Sequence, residues 1–306
     1  MGGVVRNKGA QMTWLLWLGL ALGLLAATFA SLVFFGAQHW ADTTRALGSK
    51  LEAARVLAQP QPPAAAHFPT RYESRELDGL PAPVQRYFRA VLKEGQPIIA
   101  TATLGLVGTI NLSPTGEQWK PFTSQQRVVT RRPGFLWNAK VAMLPGVAVR
   151  VVDSYIAGEG LLRAAVLGLF KVADAQGGGE MARGEMMRFF AEAPWYPTAL
   201  LPSQGVRWEP VDDASANATL ADGPIVLTLL FRFNDAGLID SFRAEARGAG
   251  VGKDMVMLPW EGKWSNYQRR DGMTVPFTGE VAWMQPAGRK AYFVGTVTSV
   301  RYEFAP

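Results

Sequence analysis

The side chains able to exchange protons or attack an electrophile are few in this sequence. There is no cysteine, and the two histidines are His39 and His67. From Phe68 to the C-terminus, neither a thiolate nor an imidazole is available. That excludes Ser-His-Asp and Cys-His catalysis from this stretch, together with thiolate and histidine zinc sites. The carboxylates Asp153, Glu159, Glu180, Glu185 and Glu192 remain as a general acid and base, with no glycosidase-type dyad visible in their spacing. Glu185 and Arg188 stand one helical turn apart, where an ordinary ion pair forms. Gly177-Gly178-Gly179 lacks the Lys-Ser/Thr of a phosphate-cradling loop and reads as a flexible connection. An enzymatic reading rests on carboxylates alone, and no cofactor or metal is expected.

Binding chemistry is better supplied. Gly184 to Pro202 reads GEMMRFFAEAPWYPTALLP, with two methionines, two phenylalanines, a Trp and a Tyr around a single Arg. Met186, Met187, Phe189 and Phe190 make a helix that is apolar around more than half its circumference, and such a helix must cover something. Pro194 ends it, because proline cannot continue the backbone ladder. Pro197 and Pro202 then stiffen Trp195 to Leu201 into an apolar finger. The segment either completes a core or forms a lid over a groove for acyl chains, a role that suits soft, adaptable methionines.

The elements that position this segment fall into a regular order. Residues 1–12 are a tail, and 13–36 a transmembrane anchor: Thr13 to Phe35 carries no charge and is long enough to cross a bilayer core. Trp14 and Trp17 near one end and Trp40 beyond the other suit interfacial aromatics. The apolar run is longer than a signal peptide normally has. Residues 37–68 are a helical stalk, with Trp40, Leu47, Leu51 and Ala54 at roughly heptad spacing, and a Pro-rich linker QPQPPAAA. Residues 69–306 are one globular domain.

Within that domain, Pro81 to Lys93 is an amphipathic helix with Val84, Tyr87, Phe88, Val91 and Leu92 on one stripe. After it the pattern turns to β: Ile98 to Leu112, Phe135 to Met143, Val147 to Ala157, Ile225 to Phe233 and Leu238 to Arg247. Further strands flank the turns Arg270-Asp271-Gly272 and Gln285-Pro286-Ala287-Gly288. In the last strand, Tyr292, Val294, Thr296, Thr298, Val300, Tyr302 and Phe304 are expected on one face. Short turns between sequential strands, without βα alternation, predict an α+β fold. Its expected form is one large curved antiparallel sheet, half-barrel-like, with helices on its concave side, preceded by the transmembrane helix.

The composition is 48% hydrophobic and 18% charged, apolar enough to agree with a membrane segment. The net charge of +6 is scattered, and its densest run is Arg131-Arg132, so nucleic acid is not an expected partner. Attraction to anionic lipid head groups is one reading of that charge, and an unspecialised basic surface is the simpler one. The bilayer is the expected partner, with the chain single-pass in a bacterial inner membrane and the domain on the periplasmic or extracytoplasmic side.

The segments RRPGFLWNAKVAMLPGVAVRVVDSYIAGEG, GEMMRFFAEAPWYPTALLP, VRWEPVDDASANATL and LPWEGKWSNY resemble, in this order, a bacterial family of unknown function, over roughly Pro83 to Phe304. The resemblance implies a membrane-anchored or soluble domain, without catalytic residues to carry over. The architecture is loosely similar to the lipoprotein-localisation-factor fold, in which a curved antiparallel sheet wraps helices around an apolar cavity.

The function expected is binding of a lipid, acyl chain or lipoprotein segment in an apolar groove of the sheet. The alternative is a structural or partner-binding domain with a filled core. The lining residues expected are Trp137, Met143, Tyr155, Met187, Phe190, Trp195, Tyr196, Trp260 and Trp283, acting by apolar contact. Arg131, Arg132 and Arg188 are the candidates for a head group.

Overall fold

The computed structural model describes residues 8–56, 69–113, 116–251 and 254–306. The tail's first seven residues and the whole Pro-rich linker lie outside the described residues.

Helix α1 (Lys8–Val56) runs unbroken through the apolar segment and the stalk. Among the described residues it is the one helix long and apolar enough to cross a membrane. After a 3-10 turn at Ser74–Leu77 comes α2 (Ala82–Val91), with Pro81 as its N-cap and Pro83 in its first turn. Its predicted stripe is buried: Val84, Tyr87, Phe88, Val91 and the following Leu92 all enter the core.

Six strands then form a meander: β1 (Ile99–Asn111), β2 (Trp119–Val129), β3 (Gly134–Leu144), β4 (Val147–Ile156), β5 (Glu159–Val166) and β6 (Phe170–Gly177). Helix α3 (Gly179–Ala191) and three 3-10 turns (Ala193–Trp195, Pro197–Leu200, Pro202–Gln204) interrupt the strands. Seven more follow: β7 (Arg207–Asp212), β8 (Ser215–Asp222), β9 (Ile225–Phe233), β10 (Ile239–Val251), β11 (Asp254–Arg270), β12 (Met273–Gln285) and β13 (Gly288–Phe304). All thirteen join one antiparallel sheet in the order β6-β5-β4-β3-β2-β1-β13-β12-β11-β10-β9-β8-β7.

This order dictates where α3 must lie. The first meander ends at one edge of the sheet and the second begins at the other, so the connection has to cross a face. The sheet rolls around it. β4 and β8 are nine ladder steps apart, roughly 43 Å if the sheet were flat at the usual strand spacing. Yet the Tyr155 hydroxyl on β4 donates to Asp222 on β8 at 2.7 Å. α3 likewise touches β4 and β5 on one limb and β9 and β10 on the other. The sheet is an arch, with α2, α3 and the 3-10 turns inside it.

Strand alternation sorts side chains between two cores. On β3, Phe135 and Trp137 enter the large inner cluster while Leu136 faces outward. The outward residues Val129, Leu136, Val152, Ile156, Leu161 and Ala165 pack against Trp40, Leu51 and Ala54 of α1. The heptad-spaced residues of the stalk thus find the convex face of the sheet, so the stalk does not stand clear of the domain. Trp40 is also corrected as an interfacial aromatic: it is buried and its indole N–H donates to Asn138 Oδ1 at 3.0 Å. Lys50 pairs with Glu159 at 2.6 Å and Arg127 with Glu52 at 2.9 Å along the same contact.

The expected single face of β13 is also corrected. Register shifts fall between Gly105 and Leu106 of its β1 pairing and between Val281 and Ala282 of its β12 pairing. Each extra residue inverts the alternation. Phe293 and Val297 therefore face the inner core together with Val300, Tyr302 and Phe304, and Thr298 is exposed.

Candidate functional site

The inner face of the arch is built from aromatic rings brought in by different strands. Trp260 and Trp283 are cross-strand partners of β11 and β12, and Trp137 and Tyr155 come from β3 and β4. Against them α3 sets Met186, Met187, Phe189 and Phe190, all buried. Phe190 meets Phe231 edge-on at 5.9 Å, and Trp195 meets Trp264 at 4.9 Å. Trp137, Tyr155, Met187, Phe190, Trp195, Tyr196 and Trp260 are each at most 4% exposed and belong to one cluster. Trp283 sits at the margin of that cluster, stacked on Tyr292 at 5.9 Å. Met143 is likewise half-buried at the margin of that cluster, and it also lines a cleft at the β3–β4 turn.

Ionic groups run through this apolar interior. Arg188 of α3 pairs with Asp153 on β4 and, at 2.8 Å, with Glu192 just past the helix end. Its guanidinium lies 4.9 Å from the ring centres of both Phe135 and Trp137, a cation–π arrangement. Gln126 of β2 donates to Glu192 at 2.6 Å. On the opposite limb, Arg247 of β10 lies 4.3 Å over Trp260 and 5.6 Å from Trp283. It donates to the Gly184 carbonyl at 3.2 Å and stands 3.7 Å from Glu185.

Burial and the nearby Asp153 carboxylate push the Glu185 carboxyl well above its ordinary range, against the opposing pull of Arg247. Asp153 Oδ1 and Glu185 Oε2 have no partner while both are counted as acceptors. A proton on Glu185 resolves this, because the carboxyl then donates to Asp153. It also balances the cluster: two guanidinium groups face two carboxylates. The indole N–H groups of Trp137, Trp195 and Trp264 have no hydrogen-bond acceptor among the described residues.

Arg188 is enclosed by Asp153, Glu192, Phe135 and Trp137, so its charge is matched within the domain. One expectation is corrected here. The expected Glu185–Arg188 ion pair gives way to partners on facing strands: Glu185 is paired with Arg247 and Arg188 with Asp153. Arg131 and Arg132 sit at the β2–β3 turn, where Arg131 donates to the Pro69 carbonyl at 3.3 Å. Arg247 is the residue sequence reasoning missed. A register shift between Ala244 and Arg247 hides which face of β10 it takes.

The entry and exit of the inserted segment differ from its middle. Gly177 before α3, Gly179 as its first residue and Gly205 after the last 3-10 turn all have positive φ, at 146°, 57° and 92°. Side chains rarely adopt these angles, and glycine does so freely. Between them the finger is tied to the arch by neutral groups. Thr198 Oγ1 accepts the Ile99 backbone N–H at 3.0 Å, the Tyr302 hydroxyl donates to the Trp195 carbonyl at 2.7 Å, and the Trp208 indole donates to Leu200 at 3.0 Å.

No curated protein matches the chain. Among solved structures it is similar to a LolA superfamily protein from Nitrosomonas europaea, at 10% identity and a TM-score of 0.37, covering 73% of this chain and 93% of that one. A structure described as an outer membrane lipoprotein-sorting protein domain from Vibrio parahaemolyticus aligns at 9% identity and a TM-score of 0.36, covering 67% and 86%. A β-barrel-like protein from Brucella abortus, itself of a domain of unknown function, aligns at 11% identity and a TM-score of 0.20, covering 67% and 98%. Likenesses this distant identify no ligand. Residues 78–302, most of the chain, match the model of a family of unknown function, DUF6920, and the chain belongs to that family.

Proposed function

We propose that this protein is a membrane-anchored binding module. α1 crosses the bilayer, and the arch accepts an apolar chain, from a lipid or a lipoprotein, between its aromatic inner face and α3. Trp137, Tyr155, Met187, Phe190 and Trp260 contact that chain. α3 fills the space when no ligand is bound and swings on the glycines at Gly177 and Gly179. The observation that carries this reading is the α3 interface itself: a greasy helix, entered through glycines, held against the sheet by charges rather than by a fully satisfied neutral contact. Buried ion pairs add little stability over apolar packing of the same volume, so a permanent core gains little from them. The single-pass topology, with the domain on the extracytoplasmic side, belongs to the same proposal.

A second reading is favoured by one fact, the near-complete burial of the seven inner candidates. In it the arch is a filled core and the domain presents its outer surface to a protein partner. Native mass spectrometry of the full chain, extracted in lipid nanodiscs and released without detergent, separates the two. A lipid retained at a fixed stoichiometry supports the ligand-binding arch, and its retention should fall when Met187→Glu places a charge on the inner face. A bare chain leaves the filled-core reading.

A further inference from the structure

The turns at one end of the β1–β6 limb line up beside the apolar part of α1. The ladder sets Asn111 opposite Trp119, Leu144 opposite Val147, and Val166 opposite Phe170, and the intervening pairings hold these ends level. Two of the turns touch the helix. A Cβ at Gly146 would stand 3.6 Å from the Phe29 ring, and one at Gly36 would meet the Leu167 carbonyl at 2.0 Å. Gly168 faces Gly36 in return, at 2.6 Å from its carbonyl oxygen by the same construction. Only a bare backbone permits this approach, so the glycines fix how α1 leaves the sheet.

Phe29 lies six residues inside the C-terminal end of the apolar run from Thr13 to Phe35, about 9 Å along a helix. That is the depth at which amphipathic elements sit in the boundary between head groups and acyl chains. The turn tips have matching chemistry. Leu144 is 70% exposed, and Leu112 and Phe170 are also exposed. Lys120, Lys140 and Arg150 stand behind them, and none has an ion pair among the described residues. The acidic neighbour Glu117 is taken up by Lys290 at 2.7 Å. Between the tips of β2, β3 and β4 lies a cleft of about 530 Å³, lined by Trp119, Lys120, Lys140, Met143, Leu144 and Pro145 among others.

We propose that this end of the arch is seated in the bilayer, with Leu144 in the head-group boundary and an anionic phospholipid head group in the cleft beside Lys120 and Lys140. The inference rests on α1 spanning that bilayer. It replaces Arg131 and Arg132 as the lipid contact, because they stand at the other end of β3, roughly 36 Å away at the rise of a strand. The domain then rides on the membrane at a set angle instead of swinging on a stalk.

The absence of cysteine makes a direct test possible. Leu144→Cys, Arg132→Cys and Leu22→Cys are each introduced into the full chain, labelled with an environment-sensitive fluorophore and reconstituted in phosphatidylcholine vesicles with phosphatidylglycerol. Lipids carrying quenchers at head-group or mid-bilayer depth then report position. The expected result is several-fold stronger quenching at Leu144→Cys than at Arg132→Cys by the shallow quencher, and quenching at Leu22→Cys by the deep one. Equal, weak quenching at positions 144 and 132, with position 22 still quenched, overturns the seating and leaves the anchor standing. An unquenched Leu22→Cys removes the anchor and the seating together. Omitting phosphatidylglycerol is expected to reduce quenching at position 144, and to have no such effect in a Lys120→Glu, Lys140→Glu background. Quenching that ignores lipid charge in both backgrounds overturns the head-group assignment.

Discussion

α3 and the finger that follows it fill the same arch and come from one continuous apolar run, yet they are attached by different physics. The finger is held by Thr198, Tyr302 and Trp208 through hydrogen bonds between neutral groups and backbone. Each of its three turns carries a proline in its first turn, which lowers the entropy lost on folding. α3 is held instead by Arg188 against Asp153 and Glu192, and by Arg247, which donates to the Gly184 carbonyl and stands beside the Glu185 carboxyl. A neutral, backbone-directed attachment is complete in itself. An ionic one inside an apolar arch depends on charge balance, and so on which groups are protonated and on what else enters. The attachment of the finger is indifferent to protonation, and that of α3 is not.

The largest effect that sharpens this contrast comes from Arg188→Ala. It leaves Asp153 and Glu192 without their guanidinium, and breaking a buried pair in this way costs about 3–5 kcal/mol. Urea denaturation of the full chain in nanodiscs measures it. A loss below about 1 kcal/mol would mean that packing alone holds α3, and the contrast with the finger would vanish. Thr198→Val comes next. It keeps the shape and removes the acceptor of the buried Ile99 N–H, for a loss of about 1–3 kcal/mol. Because no charge is involved, that loss should be the same at acid and at neutral pH, and hydrogen exchange in α3 should stay near the parent rate. Accelerated exchange in α3 would show the two regions to be one cooperative unit.

Much of the finger was legible in the sequence and much of the α3 site was not. Local signals suffice where chemistry is local: the prolines at 194, 197 and 202 punctuate the finger where expected, and the stripe of α2 buries as its spacing requires. Tyr155 and Trp137 declare themselves as inward residues by being large rings in apolar strands. The partner of Arg188, by contrast, lies 35 residues back on another strand, and no spacing rule reaches it. Several strands were also invisible, for two separate reasons. β6 is an edge strand, mostly exposed, with apolar and polar residues mixed on both faces, and its neighbour rather than its own pattern keeps it extended. β2 carries Ser124 and Gln126 at inward positions, which breaks the apolar alternation; Gln126 is there to meet Glu192 and Arg188. Gln126, which confuses the strand pattern, is also one of the residues that build the charge cluster.

The smallest effect is the most specific to α3. Glu185 is held protonated by burial and by Asp153, so its folded-state pKa lies above the unfolded one. Below the unfolded value the group is protonated in both states and its favourable contribution is fully present. As pH rises, the unfolded chain releases the proton while the fold retains it, and stability is lost until the folded pKa is passed. Glu185→Gln imitates the protonated carboxyl, since its amide still donates to Asp153, and has no proton to lose. The variant should therefore match the parent near pH 4 and exceed it increasingly toward neutral pH, by about 1 kcal/mol or more. Melting temperatures of both proteins across that range give the difference directly, and effects common to other carboxylates cancel in it. A gap that stays constant or closes with rising pH would place a charged Glu185 against Arg247, and α3 would then be held by a plain ion pair without a shared proton. The same titration of Thr198→Val should be flat, and a slope there would remove the finger's claim to be the neutral half of the pair.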